Sequence, residues 1–329
     1  MLRRLLVVMY ATLREGLQQP ICMLLTLTML VLTLLQPLVQ LHTFGEPGRL
    51  VRDGGFGFQL IFGLLIVVFT AGFTLSNELR SGTAAASLVK PISRAEFFVG
   101  KLLGVLGVLV LYWICSTFAI LIAERAAERF IENSRIIGHI RDSSAALLGM
   151  GVPLLALLLA AILNYFKHMR IGLVFFFSTI ALYIALFVYL GFYSYDRYWL
   201  GFTSDFATYY DFRLLSVGFL LLLLLSCFTT LAVALTTRIK TGGALAICFV
   251  LFSLGFFIDL MLEGGACGRV LGNALSLITP NVQSYWLPDA LGNGGTISLK
   301  YCLSATINSF LYILLYCFLG INLLCTKDL

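Results

Sequence analysis

The sequence predicts an all-α fold: a polytopic integral membrane bundle of about eight transmembrane helices, preceded by an N-terminal interfacial amphipathic helix. Three observations carry this. The 329 residues are 60% hydrophobic and only 12% charged, about half the charge of a soluble domain. Apolar runs of roughly 20 residues recur, the length a helix needs to cross a hydrocarbon core. Net positive charge also falls on the connections of one side, in the sense the positive-inside rule expects, although the split of Lys and Arg alone is narrow.

Residues 1–18 form the first element. Leu2, Leu5, Leu6, Met9, Leu13 and Leu17 fall on one helical face. Arg3, Arg4, Arg14, Glu15 and Gln18 fall on the other, with Val7 and Ala11 as exceptions. Such a helix lies in the headgroup layer of an anionic membrane surface. Arg14 and Glu15 interrupt the apolar run and no small-residue cleavage pattern follows, so it does not read as a cleaved signal peptide.

The membrane domain, 19–329, holds spans near 20–41, 57–77, 98–122, 145–165, 171–193, 214–236, 243–262 and 303–325. An even number puts both termini on one side. With the N-terminus in the cytoplasm of a cell (inner) membrane, the inner segments carry twelve of the 22 bases and four acids, and the outer segments ten bases and twelve acids. Residues 123–145 mix Arg with Glu124, Glu128, Glu132 and Asp142. They read as an amphipathic helix whose Ala123, Ala127, Phe130, Ile131 and Ile137 would lie on the membrane surface. Outer-side aromatics, among them Tyr193, Tyr198, Trp199, Tyr210, Tyr285 and Trp286, read as an interfacial belt or, more sharply, as a substrate vestibule.

Residues 77–101 are the most informative stretch. The second span ends at Asn77–Glu78, and Ser81-Gly82-Thr83 breaks the helix. Thr83 can cap a short helix, Ala84–Lys90, which Pro91 stops. Ser93-Arg94-Ala95-Glu96 is a capping box opening the third span. Gly100 and Gly104 would let a neighbouring helix approach closely. About twenty residues with three stop–start signals read either as a well-capped turn or as a small helix offered to a soluble partner.

The stretch resembles a family. Glu78-Leu-Arg-Ser-Gly-Thr, Pro91-Ile-Ser-Arg and Glu96-Phe-Phe-Val-Gly-Lys are similar to the signature between the second and third spans of ABC-2-type transporter permeases. Leu277-Ile-Thr-Pro-Asn-Val-Gln-Ser-Tyr-Trp-Leu-Pro-Asp-Ala-Leu291, with the last span and the Cys-Thr-Lys-Asp tail, resembles the branch tied to multi-copper-enzyme maturation, the nitrous-oxide-reductase accessory type. The likeness covers 1–122 and about 214–329. Residues 123–213 look like an addition to the six spans usual in that family. The resemblance implies a homodimeric or pseudo-dimeric exporter subunit with an elbow-like first helix. Its loop 79–95, with Glu78, Arg80, Gly82, Thr83, Lys90, Pro91, Ser93, Arg94 and Glu96, would couple to a separate cytoplasmic ATPase.

The chain has no G-x-x-x-x-G-K-[ST], so ATP and Mg would be held by that partner and this subunit would not itself be an enzyme. His42, His139 and His168 are dispersed and point to no metal site. No nucleic-acid partner is implied. Asp259, near a span end, is the one candidate for a charged group on a pathway. Most of the eight cysteines read as small hydrophobes, with a Cys267–Cys302 pair left open. Two other readings remain: a secondary transporter driven by an ion gradient, which needs charged or unwound mid-span segments, and a membrane scaffold for enzyme maturation.

Overall fold

The computed structural model describes residues 2–39, 47–76, 93–132, 137–193, 209–264 and 266–326. Their order is α1 (Leu2–Leu17), α2 (Pro20–Val39), α3 (Pro47–Ala71) with a π-helical last turn (Gly72–Ser76), and α4 (Arg94–Ala126). Next come strands β1 (Arg129–Glu132) and β2 (Ile137–Ile140), α5 (Ser143–Lys167) and α6 (Ile171–Gly191). The chain continues through α7 (Leu214–Thr236), α8 (Thr241–Phe256), α9 (Ile258–Glu263), α10 (Ala266–Ile278) and α11 (Leu299–Cys325). Seven of these helices are long and apolar enough to cross a membrane. The chain is a multi-pass helical membrane protein.

Contacts between helices fix their directions. Gln59 on α3 donates to Ser116 on α4 at 2.8 Å and Lys101 on α4 reaches the Thr74 carbonyl, so α3 and α4 are antiparallel. A Cβ on Gly63 would touch Leu225, and Phe56 lies beside Gly218, so α7 runs with α3. Cys227 meets the Ser309 carbonyl and Gly320 lies beside Ala234, so α11 runs with α7. Leu17, Ser76, Arg94, Lys167, Thr236 and Cys325 therefore share one end of the bundle, called here the N-terminal end. The core is apolar with a few paired polar groups: Tyr112 Oη donates to the Gln59 carbonyl at 3.0 Å, and Trp113 Nε1 to the Gly218 carbonyl at 2.7 Å. Such bonds between helices add to packing where no water competes.

Three expectations need correcting. The seventh span, expected at 243–262, is broken: α8 has 16 residues and stops at Phe256. Val282 N donates to the Gly255 carbonyl and Gln283 Nε2 to the Phe256 carbonyl, so an incoming segment takes the acceptors that would have continued the helix. The α9–α10 pair then folds back, and α10, with Val270, Leu271 and Leu277 exposed, runs along the outside of the bundle until the Ile278 carbonyl accepts from Tyr316 at 2.6 Å, midway along α11. Residues 123–145 are not one amphipathic helix. Residues 123–126 finish α4, and 129–132 pair antiparallel with 137–140, Arg129 with Ile140 and Glu132 with Ile137. Ala123 and Ala127 are buried within the protein rather than laid on a surface. Each strand is only four residues long, too short for a strand period to stand out from the mixed charge around it. Lastly, Tyr210 and Tyr285 are buried rather than interfacial; Tyr210 stacks on Phe187 with centroids 4.3 Å apart.

Candidate functional site

The described part of the sequence-predicted site lies at the N-terminal end. Glu78, Arg80, Gly82, Thr83, Lys90 and Pro91 fall outside the described residues, and so does the short helix expected there. Ser93, Arg94, Glu96, Gly100 and Gly104 are described, and they do different work from one another.

Ser93 and Glu96 form the expected capping box. Glu96 N donates to Ser93 Oγ at 3.1 Å, and Ser93 N donates to Glu96 Oε2 at 3.0 Å. The box satisfies two of the four donors that any helix start leaves open, and so fixes where α4 begins. Arg94, one residue on, turns to another helix. Its guanidinium donates to the Leu324 carbonyl at 3.2 Å and the Cys325 carbonyl at 2.7 Å. Arg238, just past α7, donates to the Leu323 carbonyl at 3.1 Å and to Thr326 Oγ1 at 2.6 Å. Two cations thus cap the open acceptors and the negative dipole end of α11.

Gly100 and Gly104 have α1 against them. A Cβ on Gly100 would lie 2.8 Å from Val8 Cβ, and one on Gly104 would lie 2.5 Å from Thr12 Cβ and 2.9 Å from the Met9 carbonyl oxygen. The close neighbour is therefore the N-terminal helix itself, running beside the first turns of α4. With 33 residues, α4 is roughly 50 Å long against a hydrocarbon core of about 30 Å, and α1 covers its surplus length. The packing face of α1 is Leu5, Val8, Thr12, Leu13 and Gly16, a rotation of the expected apolar face; Leu6 is left exposed.

Lys101 was not singled out from sequence. It is buried, 4% exposed, donating to the Thr74 carbonyl at 2.9 Å, with Glu15 of α1 at 3.7 Å. A π-helical turn frees carbonyls from the i→i−4 ladder, and a charged donor satisfies one here. Phe97, Lys101, Gly104 and Val108 share one helical stripe. A lysine in register with buried apolar positions is the signal that would have found it.

The opposite end repeats the arginine-capping device. Arg125, 1% exposed, donates to the carbonyls of Leu190 and Tyr193 at the end of α6, with Asp142 at 3.8 Å and the Tyr210 ring at 5.3 Å. Burial pushes the Tyr210 hydroxyl up to about 12, against the opposing charge of Arg125. Arg141 donates to the Leu38 carbonyl at the end of α2. Arg213 holds Asp211 in a fork, Nε–Oδ1 2.8 Å and Nη2–Oδ2 2.7 Å. Burial raises the Asp211 carboxyl, but these bonds and the Arg213 charge outweigh it and leave the group below the ordinary aspartate value. Asp259 accepts from Asn281 of the re-entrant segment. Cys302 is a free thiol, and the Cys267 side chain lies outside the described residues. Among the described residues no three His, Cys, Asp or Glu side chains gather as metal ligands.

No protein-family model, curated protein or solved structure matches the chain. The fold defines its class as a multi-pass helical membrane protein.

Proposed function

We propose that the chain is the membrane subunit of an ATP-driven exporter, moved by a separate cytoplasmic ATPase that grips residues 79–95. One observation carries the reading: the chain on both sides of that polar, basic stretch is tied to several helices at once. On the α3 side, Lys101 holds the π turn and meets α1 through Glu15. On the α4 side, the capping box fixes the helix start and Arg94 holds the end of α11. A displacement of 79–95 would therefore be passed to α1, α3, α4 and α11 together, which is what coupling to an alternating pathway needs. In this reading both termini are cytoplasmic and the subunit pairs with a second permease chain.

The test replaces Gly82–Pro91 with a Gly/Ser linker and measures co-purification with the ATPase. Loss of the ATPase with unchanged folding is expected; retention at full strength defeats the docking assignment. A second reading, an ion-driven carrier, gains from one feature, the unwound chain between Ile278 and Asp289 inside the bundle. It requires flux without any ATPase and loss of that flux in Asp259→Asn.

A further inference from the structure

We propose that the α5–α6 turn and the groove beneath it form a binding site for an anionic phospholipid. The turn is Tyr165-Phe166-Lys167-His168-Met169-Arg170, and every one of these side chains is exposed. Tyr165 and Phe166 meet edge to face at 5.1 Å. Exposed aromatics beside bases at the end of two spanning helices mark the headgroup layer. The turn is fixed in shape: His168 adopts a left-handed cap conformation, φ 52°, and Asn164 Nδ2 donates to the Met169 carbonyl at 2.6 Å.

Among the described residues Lys167 and Arg170 have no carboxylate within ion-pair distance, and Arg170 spends one donor on Gln18 Oε1 at 3.0 Å. The neighbouring acid on α1, Glu15, is engaged by Lys101. The remaining guanidinium and ammonium donors suit a phosphate. Directly below Gln18 opens an apolar cavity of about 290 Å³ between α2, α5 and α6, lined by Met23, Leu24, Leu27, Leu157 and Phe175 among others. Cations above and an apolar slot below match one amphiphile, with its phosphate on Arg170 and Lys167 and an acyl chain along Leu24 and Leu27. This is the arrangement by which basic pockets between spanning helices select acidic lipids.

The experiment uses the delipidated, detergent-purified full chain. Retention of phosphatidylglycerol and of phosphatidylcholine with the same acyl chains is measured by native mass spectrometry. The chain should prefer phosphatidylglycerol, and Lys167→Gln with Arg170→Gln should cut that preference roughly 25-fold, about fivefold for each cation at the surface. Lys240→Gln, another exposed lysine at this end, should leave it unchanged. Leu27→Trp, which fills the slot and leaves the turn intact, should lower retention of both lipids. Millimolar inorganic phosphate should fail to displace the lipid. Equal retention of the two lipids, an unchanged preference in the double variant, full retention in Leu27→Trp, or displacement by free phosphate would each overturn the proposal. None of these outcomes depends on the exporter reading.

Discussion

Alanine at Gly104 tests the packing of the first helix against α4. The new methyl would stand 2.5 Å from Thr12 Cβ and 2.9 Å from the Met9 carbonyl oxygen. Carbon atoms settle at about 3.5–4.0 Å, so α1 has to retreat by about 1 Å. The oxygen belongs to backbone and cannot rotate aside. Overpacking of this kind costs about 1–3 kcal/mol, while removing a glycine from a helix interior gains about 0.5–1 kcal/mol. The net expectation is a loss of about 0.5–2 kcal/mol. Gly151→Ala is the control: nothing lies within 4 Å of its Cβ, so it keeps only the gain. Thermal unfolding is followed with a thiol-reactive dye, since Cys22, Cys115, Cys227 and Cys248 are buried and react when the bundle opens. The two variants should melt a few degrees apart by the usual size scaling, with Gly104→Ala lower and cut faster by trypsin at Arg3 and Arg4. Gly104→Ala melting at or above Gly151→Ala would refute the close packing.

Two further outcomes follow from buried and capping charges. Lys101→Met keeps the apolar stem but leaves the Thr74 carbonyl unpaired, for an expected loss of about 1–3 kcal/mol; the same melt should show it, and Lys101→Arg should recover part. For Asp211 the sign is set by a folded value below the ordinary 3.8. Its stabilisation is present above that ordinary value and is lost as pH falls through the lower folded value. Melting temperatures of the parent and of Asp211→Asn should therefore differ at neutral pH and converge only in strong acid; a gap that persists there would show that charge is not its source.

How much was legible follows from scale. Hydrophobic runs are long-range averages, so the spanning helices, their order and the α4 start at Ser93 could be read directly. The capping box is a local motif, and its two hydrogen bonds have the expected partners. Gly100 and Gly104 announced a close neighbour, but a glycine pair does not name it, and α1 came from ninety residues away. Arg94 entered the expected docking surface through the family resemblance, which says nothing of its partners within the chain. Only the fold brings the end of α11 to it. The break at Phe256 was hidden for a similar reason: residues 243–262 are apolar but for a few polar positions such as Asp259 near the end, and the interruption is imposed by Val282 and Gln283 arriving from outside the run. Lys101 shows the reverse case, a charge whose helical register betrayed its burial.

The re-entrant segment carries a consequence for how the chain is made. Between Ser276 and Tyr285 the backbone has few partners of its own. Tyr312 donates to the Ser276 carbonyl, Tyr316 to that of Ile278, Tyr301 to that of Ser284, and the Tyr285 hydroxyl meets Ser309. All four partners sit on α11, which follows this segment in the chain. A nascent chain paused before residue 300 leaves these carbonyls without their α11 partners. Arrival of α11 is therefore also the moment of closure, and a polypeptide truncated short of Tyr316 would present membrane quality control with an open wound.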